Sequence, residues 1–286
     1  LAASTGNVHR RVVGDLDASL EALIAGEPCG EGLGSGLGGD LSDERGRDAA
    51  AGERLQELQH FHQRLVAEPG GDQAVDEVAG RGVDAHLLQP GLGWIPWWKS
   101  NVYPAAEHYR WFTARTGLEP DSYGKYMQAG GDMVKVFLER CGRRAQAPFV
   151  SLRMNDAHHL ENAEAKDRRA VWASRFYVEH PEYRIGPDPN KAAEHVLNWA
   201  IPAVRAQKLA FVEELCTNYD VAGFELDFMR FYSLFPLEKT TVAERRAAVT
   251  DFVARVRRIL ERTARGGQRR WLMARVPCLV EAFDPL

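Results

Sequence analysis

The sequence predicts an α/β fold of the (β/α)8 TIM-barrel type, incomplete, with about the first four β/α units present behind a poorly ordered N-terminal segment. Three observations predict it. Four short β-forming segments alternate with helical stretches, which implies βαβ units and a parallel sheet. The loops that follow the strands are long. Polar residues gather where those strands end, the place at which a barrel builds its site.

The chain divides near residue 83. Residues 1 to 93 contain no Trp, Tyr, Lys or Met, have Phe61 as their one Phe, and hold 17 of the 26 glycines. A segment with so little aromatic surface to bury is expected to be poorly ordered. Residues 1–82 therefore form a low-complexity Gly/Ala/Arg-rich segment, either a natural extension or the translation of a GC-rich frame foreign to the fold. The abrupt onset of Lys and aromatics near Trp94 favours the second origin. Its "GLGSGLGG" follows no strand and opens no helix, so no nucleotide loop is expected there.

From 83 the elements follow in order. "VDAHLLQPG" predicts a strand at 83–88, and Gly131 to Arg144 a helix, with Met133, Val136, Phe137 and Arg140 in helical spacing. "APFVSLRMND" predicts a strand at 148–153. The amphipathic stretch "PNKAAEHVLNWAIPAVRAQKLAFVEELCTNYD" predicts a long helix that Pro202 kinks or divides. "VAGFELDFMRF" gives a strand at 222–228, a helix spans about Val242 to Arg265, and "RRWLMARVP" gives a strand at 271–276. Four more units would complete an eight-stranded barrel, so the expectation is a fragment, 83–286, of that fold. A doubly wound sheet is the alternative, without the glycine fingerprint of its nucleotide crevice.

Composition excludes some classes. With 45% hydrophobic and 27% charged residues and a net charge of −4, the chain offers no electrostatic reason to bind nucleic acid or an anionic membrane. No apolar run approaches the roughly 20 residues of a membrane span, and no signal-peptide core is visible. Cys29, Cys141, Cys216 and Cys278 lie far apart, without the pairing of a zinc site or disulfide framework. No cofactor is expected.

The polar residues at the strand ends are Gln89; Arg153, Asn155 and Asp156; Glu225, Asp227 and Arg230; and Arg275. Alternation puts Glu225 and Asp227 on one face, with Leu226 and Phe228 on the other. The apolar pair suits the helix side, so both carboxylates point inward, near the barrel mouth. Buried carboxylates need partners, and Arg230 is the nearest in sequence. The bland reading is a salt-bridge layer in which Arg153, Arg230 and Arg275 neutralise the two acids. In "SLRMNDAHHLEN", Asn155, Asp156, His158 and His159 suit hydrogen bonding to hydroxyls. A metal at Asp156 and His158 is the lesser reading, because no further His has ligand spacing. In "QPGLGWIPWWKSNVYPAAEHYRWF", Trp94, Trp97 and Trp98 could stack on sugar rings or form a hydrophobic plug.

Together "QPGLGWIPWWKS", "EHYRWF", "AGGDMVKVFLERC", "PFVSLRMNDAHH", "GFELDFMRF" and "LMARVP" resemble a group of bacterial glycoside-hydrolase-like TIM-barrel proteins, over about residues 83–286. The resemblance implies Asp227 as the catalytic carboxylate, with Arg230 beside it. The expected function is hydrolysis of a glycosidic bond in an oligo- or polysaccharide by two carboxylates, with Glu225, Asp156 or equally a residue beyond Leu286 as the second. Arg153, Arg275, Asn155, His158, His159, Gln89 and the three tryptophans would contact substrate. A non-catalytic carbohydrate-binding barrel and a metal-dependent hydrolase using Asp156, His158 and Asp227 are the alternatives.

Overall fold

The computed structural model describes residues 75–76, 81–92, 94–188, 193–229 and 231–276. Arg230 and residues 1–74 lie outside them. The fold is mixed α/β. Four strands, β1 (Ala85–Leu88), β4 (Ala147–Arg153), β5 (Gly223–Asp227) and β6 (Trp271–Arg275), pair in parallel in the order β1-β4-β5-β6. The two-residue strands β2 (Gly91–Leu92) and β3 (Ile95–Pro96) form a small antiparallel ribbon after β1. Each strand of the main sheet lies within two residues of its expected bounds.

Six helices accompany the strands: α1 (Ala105–Thr116), α2 (Ser122–Gln128), α3 (Met133–Arg143), α4 (Arg175–Glu179), α5 (Pro202–Asn218) and α6 (Val242–Arg262). Asp132 caps α3, its Oδ1 accepting the Lys135 amide at 2.9 Å, which satisfies one of the helix's orphan donors. Thr241 and Glu244 close a capping box at the start of α6. The expected long helix through Pro202 is instead a helix that begins there. Proline at the first helical position gives up an N–H that has no intrahelical partner anyway, and residues 193–201 before it form turns and one bridge.

Alternation along the strands sorts the sheet into two faces. Val150, Leu152, Phe224, Leu226 and Leu272 are buried in one core with Val134 and Phe137 of α3, Phe211, Val212 and Leu215 of α5, and Phe252, Val256 and Ile259 of α6. Each such side chain contributes about 1.5–3 kcal/mol when fully buried. The opposite face carries Phe149, Ser151, Arg153, Glu225, Asp227, Met273 and Arg275. Gly223 is required there, since a Cβ on it would lie 2.1 Å from the Phe149 ring.

α5 is apolar on more than the one side expected of an amphipathic helix. Besides the sheet, it packs under the loop after β1, so residues on two of its faces are covered. Val75 and Asp76, on the far side of the expected boundary at 83, are also packed. Val75 joins the main core, and Asp76 pairs with Arg140 and Arg144 of α3 and the residue after it. No helix among the described residues is long and apolar enough to cross a membrane.

Candidate active site

Parallel register brings the polar strand ends into rows. Ser151, Glu225 and Met273 are neighbours across β4, β5 and β6, and one layer further on so are Arg153, Asp227 and Arg275. The sequence places these side chains on the face away from the helices because their odd-numbered positions alternate with Leu152, Leu226 and Leu272.

Asp227 is the most enclosed acid of this face, at 1% exposure. Arg275 donates to it through both edges of its carboxylate, Nε to Oδ1 at 3.1 Å and Nη2 to Oδ2 at 2.5 Å. The Met229 amide adds a third donor to Oδ1 at 2.9 Å. The hydrogen bond and charge of the aspartate raise the guanidinium's pKa. Arg275 itself keeps 52% of its side chain exposed. Glu225 has a different partner: the Ser151 hydroxyl donates to its Oε1 at 2.6 Å. The two carboxylates of this face thus have unlike partners, a guanidinium for one and a hydroxyl for the other.

Arg153 donates through Nη1 to Asp156 Oδ2 at 2.6 Å. Asp156 Oδ1 accepts the His158 amide at 3.0 Å and also contacts the His158 ring. Burial works against its charge, but the hydrogen bond and charge of His158 and the Arg153 guanidinium outweigh it and hold the carboxyl well below the usual carboxylate range. The His158 and Phe231 rings are perpendicular, with centroids 4.9 Å apart. His159 and Phe231 both have positive φ, 63° and 54°, a strained backbone region for residues with a side chain.

Asn155 is enclosed, and its amide donates to the carbonyls of Leu197 and Ser233 at 2.8 and 3.0 Å. It clamps the turn before α5 to the loop after β5, and both its amide hydrogens are spent on that. Gln89 likewise closes its own turn, donating to Gly91 O.

The three tryptophans are buried, so the plug describes their places better than a cleft wall does. Trp97 packs with Tyr109, Phe112 and Met133 in a second small core. Trp98 donates its indole N–H to Glu214 Oε2 at 2.8 Å and meets Phe211 edge-on. Trp94 is stacked on Phe176, and the Lys208 Nζ sits 3.7 Å from its ring centroid.

Lys208 and Glu214 are residues that the sequence reading missed. Lys208, on α5, is fully buried and donates to the Arg153 carbonyl at 2.9 Å, at the end of β4. Burial pulls its pKa down to about 7, against a smaller upward pull from Asp156. Glu214, two turns on, also accepts the amides of Asn101 and Val102. The available signal was a lysine and a glutamate inside the helical stripe Val204, Phe211, Val212 and Leu215.

Among the described residues no group of three or more His, Cys, Asp or Glu is arranged to hold a metal ion. Asp156 and Asp227 are committed to different arginines. Cys141 and Cys216 are free and buried.

No protein-family model matches the chain, and no curated protein matches it.

Proposed function

We propose that the chain is a glycoside hydrolase of the β/α-barrel type, with Asp227 and Glu225 as its pair of carboxylates. The observation that carries this reading is their shared face at the end of β5, away from the helices, with unlike partners. Asp227, bound by Arg275, acts as the carboxylate, either nucleophile or general base. Glu225, which has a hydroxyl rather than a cation beside it, acts as the general acid that protonates the leaving oxygen. His158 and Arg153, beside Asp156, flank the sugar.

The barrel reading rests on strand order. Four parallel strands that neighbour one another in sequence order, with α3, α5 and α6 on one face, support it, because a doubly wound sheet reverses its order at a switch point.

The test is turnover of a polysaccharide and oligosaccharide panel by the wild-type chain and by Asp227→Asn and Glu225→Gln. Loss of both variants' turnover by a factor of about 10³ or more, with sugar binding retained, supports the assignment. An Asp227→Asn variant with full activity refutes it. Binding without turnover by any form makes the protein a carbohydrate-binding barrel instead. The anomeric form of the first product then separates retention from inversion.

A further inference from the structure

We infer that the sugar taken by this site bears a carboxylate, gripped by Arg275 together with Arg153. The inference rests on the glycoside-hydrolase reading and names the substrate class within it.

Arg153 and Arg275 are the register partners of Asp227 on its two sides. Neighbouring strands lie about 4.8 Å apart, so the two arginine backbones are roughly 10 Å apart with the aspartate between them. That distance is of the order of one sugar ring with its substituents. Both arginines lie on the face away from the helices.

Their partners leave part of each guanidinium uncommitted. Arg275 uses Nε and one Nη2 hydrogen on Asp227, and its Nη1 has no acceptor among the described residues. A guanidinium has five N–H donors in a fixed fork, and a planar carboxylate can take two of them at once. The aspartate side chain is 2% exposed and the arginine 52%, so the side of the guanidinium away from Asp227 is open to a ligand. Arg153 is more enclosed, its Nη1 committed to Asp156.

Arg153 is balanced by Asp156 and Arg275 by Asp227, and Glu225 accepts from the Ser151 hydroxyl. The charge-assisted hydrogen bonds from Arg275 favour a ligand carboxylate over a neutral CH₂OH group in the same place.

The experiment measures binding of matched disaccharides by the 286-residue chain, using calorimetry at low ionic strength. The probes are glucuronic-acid- and galacturonic-acid-containing disaccharides and their glucose and galactose counterparts of the same linkage. At least one acidic member is expected to bind ten times or more tighter than its neutral partner. Arg275→Gln should reduce that preference below threefold. Because Arg275→Gln also strips Asp227 of its cation and could unfold the chain, Arg275→Lys provides the second test. It keeps a charge opposite Asp227 but lacks the fork, and should likewise reduce the preference. Equal binding of acidic and neutral members overturns the inference, as does failure of every probe to bind or an undiminished preference in Arg275→Lys. Acidic preference without cleavage of any probe or polysaccharide upholds the ligand class and removes the hydrolase reading. Cleavage of neutral glycans without acidic preference does the reverse.

Discussion

Replacing Lys208 by methionine keeps a long flexible stem in the core and removes the charge. Burial lowers the native ammonium from 10.5 to about 7. At about 1.36 kcal/mol per tenfold in proton affinity, keeping it charged in the native state costs on the order of 4–5 kcal/mol. At pH 6 Lys208→Met should therefore be more stable than the wild type, by as much as about 4 kcal/mol. The sign of the pH dependence follows from proton counting. Between pH 7 and 10.5 the unfolded chain holds the extra proton, so wild-type stability rises with pH and the variant lacks that rise. From pH 6 to pH 9 the variant's advantage should shrink by about 2–3 kcal/mol, most of it above pH 7. Urea unfolding of both proteins at pH 6, 7.5 and 9 measures this. An advantage that is the same at pH 6 and pH 9 refutes the argument, because it means that Lys208 does not change protonation across that interval.

Three further outcomes follow from contacts already described. Glu214→Gln should cost about 1–3 kcal/mol, because the carboxylate that accepts from Trp98, Asn101 and Val102 loses its charge and one of its acceptors; limited proteolysis should then cut the loop after β1 faster than in the wild type. Asp156→Asn should cost about 3 kcal/mol at pH 7 by leaving Arg153 without its buried partner. That carboxyl is depressed on folding, so its contribution is present above about 3.8 and lost as pH falls below it. Unfolding at pH 7 and at pH 2.5 should show the gap closing. Gly223→Ala should destabilise by about 1–3 kcal/mol, since its methyl would overlap the Phe149 ring and force it aside; a melting temperature unchanged from wild type would show that the ring yields freely.

The strands were legible because each is an apolar run closed by a turn residue or a charge, and because alternation in "GFELDF" assigns Leu226 and Asp227 to opposite faces without any tertiary knowledge. The start of α5 was only half legible: Pro202 announces a break, but nothing local says that the preceding residues are not helical. The tryptophans could not be placed from their neighbours. A run of aromatics reads the same whether it lines a cleft or fills a core, and what decides it here are Lys208 and Glu214, more than 100 residues away. Asn155 was ambiguous for the same reason, since the carbonyls that consume its amide belong to Leu197 and Ser233. Arg153 takes the acid three residues ahead of it, but the Arg275 that holds Asp227 is 48 positions on, a pairing no local pattern announces.

The grip of Glu214 on Trp98, Asn101 and Val102 spans 112 to 116 residues. That loop therefore cannot reach its native course until α5 has been synthesised and has docked, however early it leaves the ribosome. Its order is borrowed from a helix that belongs to a later β/α unit. The amides of Asn101 and Val102 should accordingly exchange with solvent at the rate at which α5 lifts away, so two loop residues serve as reporters of a cooperative opening whose centre lies elsewhere in the chain.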